Sequence, residues 1–224
     1  MKAMILAAGR GERMRPLTDN IPKPLLKAGG KHLIQYHIEA LNAAGFKDLV
    51  INHAYLGAQI EAALGNGEQF GVNIKYSPEG TALGTAGGII NALPLLGTEP
   101  FAVINGDIWC EFPYTTLQAQ LPLNILAHLV LIENPLHNIN GDFTLQGSHK
   151  VVNAGDGQRL TFSGIGIYHP DLFTAAPVNS FALAPILRNA CDHGQVNGQH
   201  YQGRWLDVGT PQRLQELARI LAAI

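Results

Sequence analysis

Cysteine is nearly absent from this chain of 224 residues: only Cys110 and Cys191 occur, far apart and in no paired spacing. That excludes a disulfide framework and a cysteine-built zinc site, and it suits a reducing compartment, the cytoplasm. Charge is sparse as well. Asp, Glu, Lys and Arg make up 14% of the residues, against roughly 25% in an ordinary soluble domain, and the net charge is −2 with no run of either sign. Without a basic stripe there is no electrostatic footprint for nucleic acid or an anionic membrane, so any phosphate-handling site has to be local. No apolar run approaches the roughly 20 residues of a spanning helix. The first one, in MKAMILAAGRG, meets glycine and arginine too early for a signal-peptide core. Low-complexity tracts and internal repeats are missing, including the hexapeptide period of a parallel β-helix. With 46% hydrophobic residues the chain still has the material for a core, which excludes disorder. These features predict one domain over residues 1–224, with no membrane, nucleic-acid or protein partner implied.

The apolar segments alternate in type. Lys2–Ala8 reads as a strand buried on both faces and ends on Gly9, and Ile34, Ile38, Leu41 and Ala44 recur at helical spacing before Gly45. Strands over Leu49–Asn52, Val72–Ser77 and Phe101–Ile104 then alternate with helices over Leu56–Leu64 and Thr85–Leu93. This β-α-β-α-β-α-β order predicts right-handed crossovers and a parallel sheet, with the site beyond the carboxyl ends of the strands. After Asp107 the rhythm changes. Ile125–Ile132, Asp142–Leu145, Lys150–Asn153 and Leu160–Tyr168 are separated by turn residues, which predicts antiparallel or mixed strands added to the sheet. Helices are expected over Phe181–His193 and Pro211–Ile224, the second started by Thr210 as N-cap and Pro211 at the first helical position. The fold class is α/β: a Rossmann-like, mostly parallel sheet flanked by helices, with extra antiparallel or mixed strands in the C-terminal half.

Chemistry is suggested at three places. Gly9-Arg10-Gly11-Glu12-Arg13-Met14-Arg15 follows the first strand. A dinucleotide fingerprint would need glycine in place of Met14 and an acidic residue where Asn52-His53 stand, and a P-loop would need Gly-Lys-Ser/Thr, so neither is present. What remains is either a phosphate cradle carrying Arg13 and Arg15, or a plain glycine turn with solvated arginines. Lys23 stands between Pro22 and Pro24. The flanking rings restrict the backbone and bias Lys23 to an extended conformation, so it is either a lysine in an exposed proline turn or an ammonium held in place for a site. Asp107 and Asp207 each follow an apolar run and lie near glycine. They are either turn aspartates or two oxygen donors that share a magnesium ion with substrate phosphates.

Taken together, LAAGRGERMRPLT, PKPL, SPEGTALGTAGGI, VINGD, TFSGIGIYHP and WLDVGT stand in the order found in the sugar-1-phosphate nucleotidylyltransferases, which the chain resembles over nearly its whole length. The resemblance implies a fold of the nucleotide-diphospho-sugar transferase type, with residues 1–107 mainly nucleotide-binding and 108–224 mainly sugar-binding. It implies Mg2+-dependent attack of a sugar 1-phosphate on the α-phosphorus of a nucleoside triphosphate, releasing pyrophosphate with no covalent enzyme intermediate. Carried over residue by residue, Gly9, Gly11, Glu12 and Arg13 cradle the triphosphate with Arg15 at its β/γ end. Lys23 bridges the α-phosphate and the sugar phosphate, and Asp107 and Asp207 bind the metal. Glu79 and Gly80 help read the base. Asn105 and Asp142 fall at the sugar, with Glu133, Ser163 and Gly164 in segments that line its pocket.

Within the family, INHAYLG, YSPEG, NGDIW and the compact length most resemble the uridylyltransferases of N-acetylmuramate 1-phosphate, which implies UTP and peptidoglycan recycling. Leu83-Gly84-Thr85-Ala86-Gly87-Gly88 looks more like the loop of guanylyl-, adenylyl- and N-acetylglucosamine-specific relatives, and GTP with mannose 1-phosphate is the rival pair. Larger relatives carry a second, acyltransferase activity beyond the WLDVGT segment, and none is expected here. A silent nucleotide-sugar-binding module would be expected to lose Lys23 or an aspartate, and a nicotinamide-dependent oxidoreductase is opposed by Met14. The nine histidines form no HExxH centre. Trp109 and Trp205 are candidates either for the pocket wall or for plain core.

Overall fold

The first apolar run divides its side chains between two cores. In the computed structural model, which describes residues 1–118, 121–174 and 182–223, Ala3 and Ile5 enter one buried cluster and Met4 another, all without exposure. That alternation is the two-residue period of a strand covered on both faces. This strand, β1 (Ala3–Leu6), leads through a small hairpin of β2 (Lys27–Ala28) and β3 (Lys31–His32) into α1 (Leu33–Ala43). Then follow β4 (Asp48–His53), α2 (Gly57–Leu64), β5 (Asn73–Pro78), α3 (Gly84–Leu96) and β6 (Phe101–Asn105). Next come β7 (Ile108–Cys110), β8 (Ala127–Ile132), β9 (Phe143–Gln146), β10 (Lys150–Val152) and β11 (Gln158–Tyr168). The chain closes with α4 (Leu183–Asp192), β12 (Val196–His200), β13 (Trp205–Asp207) and α5 (Pro211–Ala222). The expected helix ends Phe181 and Ile224 lie outside the described residues.

The first-half strands pair in parallel in the order β5-β4-β1-β6, as the alternation predicts. β11 joins antiparallel to β6, and β8, β12, β10 and β9 complete one nine-stranded mixed sheet among the described residues. α1 and α2 bury Ile34, Ile38, Leu41, Ile60 and Leu64 on one face of the sheet. α3 and α4 bury Ile89, Ala92, Leu187 and Ala190 on the other. α5 packs apart from both, in a third cluster with Met14, Leu33, Trp109 and Val208. Its start is as expected: Thr210 Oγ1 accepts from Arg213 N at 3.4 Å. α3 runs past Pro94 to Leu96, because only the proline's own N–H is missing and Gly97 closes the last turn with N–H to Leu93 O at 2.9 Å. Among the described residues no helix is long and apolar enough to cross a membrane.

From β1 the chain moves outward to β4 and β5, then returns through α3 to β6 on the other side of β1. At such a reversal the loops leave in opposite directions and open a crevice at the carboxyl ends of the two central strands.

Candidate active site

The crevice is a cavity of about 220 Å³ lined by Leu6–Gly9 of the β1 exit, Asn105–Asp107 of the β6 exit, Lys23, Asn52 and Gly84-Thr85. The two exits touch: Gly106 N–H donates to Leu6 O at 2.9 Å, and a Cβ on Gly106 would lie 2.6 Å from that oxygen. Only glycine fits there. In the first loop Gly11 has φ +72, with Thr18 and Lys23 packed against it, and the next turn sinks Met14 into the third core. Gly9 lines the cavity. Glu12 and Arg15 are solvent-facing, linked to each other at 3.8 Å, to Arg10 at 3.1 Å and to Asp19 at 2.6 Å. Arg13 points the other way, into a second cavity.

Lys23 departs from the extended conformation expected of a residue before proline. It opens a short helical turn, Lys23–Leu25, closed by Leu25 N to Pro22 O at 2.9 Å and Leu26 N to Lys23 O at 3.1 Å. Burial of Leu25 and Leu26 in two of the cores overrides the local preference. The ammonium is nevertheless held, with Nζ 2.9 Å from Asp107 Oδ2 at the floor of the crevice.

Asp107 and Asp207 are brought together by two strands of three residues. β13 pairs antiparallel with β7, setting Asp207 opposite Ile108, and Val208 N–H donates to Asp107 O at 2.8 Å. Both carboxylates line a cavity of about 340 Å³ that shares Asn105 and Asp107 with the first. Asp207 Oδ2 accepts from Arg213 Nη1 at 2.6 Å and lies 3.5 Å from His137 Nε2. Two carboxylates form an all-oxygen donor pair, and no larger group of metal-capable side chains occurs among the described residues. This set fits a hard cation that takes its remaining ligands from water and phosphate.

Beneath Asp107 a buried chain supports β7. His37 lies with Nε2 2.7 Å from Ile108 O and Nδ1 3.1 Å from the Tyr114 hydroxyl. Desolvation pushes the His37 pKa down to about 4, against smaller opposing effects of Ile108 O and Asp107, so the ring is neutral. Burial raises Tyr114 well above its ordinary value, so its O–H donates to Nδ1 and the Nε2–H donates to Ile108 O.

The second cavity gathers most of the expected sugar-side residues: Asn105, Asp142 and Ser163, with Trp205 as wall. Gly164, at φ +84, lies in a bulge of β11 where any Cβ would come 2.6 Å from Asn105 Nδ2, so its bareness gives the Asn105 side chain its place. Trp205 Nε1 donates to Ser163 O at 2.9 Å. Asp142 accepts from Asn138 Nδ2 at 3.1 Å and Phe162 N at 2.9 Å. One sugar-side expectation is not met. Glu133 lines neither cavity; the chain has left β8, and its carboxylate is 67% exposed beside His200 at 3.2 Å and Gln158 at 2.9 Å. Of the two tryptophans left open between pocket wall and core, Trp109 belongs to the third core and Trp205 to the pocket.

Glu79 and Gly80 are also outside the lining set, and Glu79 is 7% exposed. Its Oε1 accepts from Asn52 Nδ2 at 2.7 Å and its Oε2 from Leu83 N at 2.8 Å, while Asn52 Oδ1 accepts from Ala7 N at 2.9 Å. The carboxylate thus ties the loop before α3 to β1 and β4, and Gly84-Thr85 at the loop's end reach the crevice instead. Sequence reasoning missed Asn52, His137 and Arg213. Asn52 was visible only as the residue standing where a dinucleotide site needs an acid.

The chain is similar to known proteins along its whole length. Residues 2–122 match the Nucleotidyl transferase family. The chain is 54% identical over 231 residues to the N-acetylmuramate alpha-1-phosphate uridylyltransferase of Neisseria meningitidis serogroup B, covering 100% of this chain and 99% of that protein. It is 36% identical to the protein of the same name from Caulobacter vibrioides, covering 99% and 97%. The mannose-1-phosphate guanyltransferase of Aspergillus fumigatus is 32% identical over 95% of this chain and 62% of its own length. The fold is shared with a UDP-glucose pyrophosphorylase solved with UDP-glucose, at TM-score 0.76 and 22% identity over 99% and 98% of the two chains. With more than half of its length matched and relatives aligned from end to end, the chain belongs to the nucleotidyl transferase family.

Proposed function

We propose that the protein transfers a uridylyl group from UTP to N-acetylmuramate α-1-phosphate, forming UDP-N-acetylmuramate and pyrophosphate in peptidoglycan recycling. The observation that carries the reaction is the junction of the two cavities at Asn105 and Asp107, with Lys23 bonded to Asp107 on one side and Asp207 lining the other. A triphosphate in the crevice and a sugar phosphate in the second cavity would bring their phosphates together there. The choice of substrates is supported by the 54% identity, end to end, with the Neisseria protein.

In the reaction a phosphate oxygen of the sugar 1-phosphate forms a bond to the α-phosphorus as the α–β bridge breaks and pyrophosphate leaves. Lys23 holds positive charge between the two phosphates, and its buried stem keeps it there without reorganisation. Gly9 and the narrow turn at Gly106 let the backbone approach the triphosphate, and Arg13 reaches it from the second cavity. Asn105, Ser163 O and Trp205 align the sugar, so the attacking oxygen is presented in line. Asp107 and Asp207 would hold Mg2+, which when bound supplies charge neutralisation and alignment of phosphate oxygens.

The test is pyrophosphate release with UTP, GTP, dTTP, ATP and CTP against muramate, glucosamine, glucose and mannose 1-phosphates. UTP with N-acetylmuramate 1-phosphate is expected to give the highest kcat/KM. A clear win for GTP with mannose 1-phosphate would keep the mechanism and overturn the substrates, and no turnover with any pair would overturn both.

A further inference from the structure

The second cavity is rich in acceptors, and several of its donors are engaged by them. Asp107, Asp142 and Asp207 all line it. Asn138 Nδ2 is engaged by Asp142 and Thr161, and Trp205 Nε1 by Ser163 O. Asp142 is satisfied by Asn138 and the Phe162 N–H. His137 differs from its neighbours. Its Nδ1 lies 2.9 Å from Arg213 Nη2. A guanidinium only donates, so Nδ1 accepts and the proton of the neutral ring sits on Nε2. That Nε2 is 3.5 Å from Asp207 Oδ2, beyond a good hydrogen bond. The ring is 38% exposed, lines the cavity, and is fixed from behind by an arginine that is itself held at 2.6 Å by Asp207. A donor with a fixed tautomer, a cation behind it and no strong partner in front is arranged for an anionic group.

We propose that His137, positioned by Arg213, recognises a carboxylate carried by the sugar of the sugar 1-phosphate. The inference rests on the muramate reading above. N-acetylmuramate differs from N-acetylglucosamine by a lactyl ether whose carboxylate adds a negative charge away from the anomeric phosphate. Such a charge entering among three aspartates needs a compensating site. Asp107 faces Lys23 and Asp207 faces Arg213, and Arg13, the other cation on the wall, belongs to the triphosphate end. His137 Nε2–H, its ring held from behind by Arg213, is a donor on this wall away from the triphosphate end and is the one assigned to the lactyl group. Arg213 is a positioning residue: it sets the imidazole tautomer and orientation and acts through His137.

The experiment measures kcat/KM with UTP for N-acetylmuramate 1-phosphate and N-acetylglucosamine 1-phosphate in the wild type, His137→Ala, His137→Gln and Arg213→Lys proteins, with thermal melts as a folding check. His137→Ala is expected to lower the preference for the lactyl sugar roughly ten- to hundred-fold, mainly through KM, the size of one lost charge-assisted hydrogen bond. His137→Gln, which keeps an N–H donor, should recover part of it, and Arg213→Lys should move the preference in the same direction as His137→Ala. An equal loss on both sugars would place His137 with Asp207 in the general machinery and overturn the proposal, as would an unchanged preference. Failure of the functional reading looks different: the wild-type protein itself would then show no preference for the lactyl sugar, and the proposal would fall with it.

Discussion

Lys23 Nζ and Asp107 Oδ2 are 2.9 Å apart, yet the lysine side chain is 9% exposed and the aspartate 42%. That asymmetry decides what each loses when the other goes. Asp107 keeps water if Lys23 is removed, so folding is little affected. Lys23→Met, which preserves the buried stem, should therefore leave Tm within a few degrees while lowering kcat/KM for pyrophosphate release by about a hundredfold or more. Near-normal turnover in this variant would take Lys23 out of the reaction.

The aspartate pair predicts a metal requirement that is separable from stability. Chelation with EDTA should abolish pyrophosphate release, and added Mg2+ should restore it. Asp107→Asn and Asp207→Asn should each raise the Mg2+ concentration needed for half-maximal activity by at least about tenfold, since a neutral amide is a poorer ligand for a hard cation. Melts in EDTA provide the control. If the aspartates are only turn residues, the Mg2+ titration of the two variants will match the wild type.

Gly88 lies in the interior of α3 at an ordinary helical φ, where alanine would normally be better by about 1 kcal/mol. Here a Cβ would sit 2.6 Å from Asn52 Nδ2 and 2.7 Å from Glu79 Oε1. Those two groups are 2% and 7% exposed, and their hydrogen bond at 2.7 Å ties the loop before α3 to β4. Parting them strands buried polar atoms. Gly88→Ala should lower stability by about 1–3 kcal/mol and raise KM for the nucleotide more than for the sugar phosphate. A stabilised variant would show that the clamp yields freely.

The parts of the fold that sequence pattern reaches are those whose residues are dictated locally. β1, β4 and β6 are covered on both faces, so each carries an apolar run that cannot be mistaken for a surface segment. β12 escapes because Val196–His200 is half polar and owes its conformation to parallel pairing with β8. β7 and β13, three residues each, exist only through one another. The site divides in the same way. The glycine turn is set by neighbours in the chain, whereas Lys23 is held by Asp107, 84 positions away, and Asn52, His137 and Arg213 work through partners 45, 76 and 76 positions away. Glu133 shows the reverse error: its segment runs toward the sugar pocket, but one residue past the end of β8 its side chain turns to solvent.

Acid should destabilise the protein in a window that His37 defines. Its pKa is held near 4 against an ordinary 6.5, chiefly by desolvation. Above pH 6.5 the ring is neutral folded or unfolded, and its titration contributes nothing. As pH falls through 6.5 the unfolded chain takes up a proton that the folded one refuses, so stability drops until pH reaches about 4, where both states are protonated. The full loss is on the order of 3 kcal/mol. Urea unfolding of the wild type between pH 7.5 and pH 4 should show this decline. In His37→Asn, whose amide can still donate to Ile108 O and accept from Tyr114, the slope between pH 6.5 and pH 4 should be smaller by one proton. Equal slopes in the two proteins would mean that protonation of His37 is not linked to unfolding.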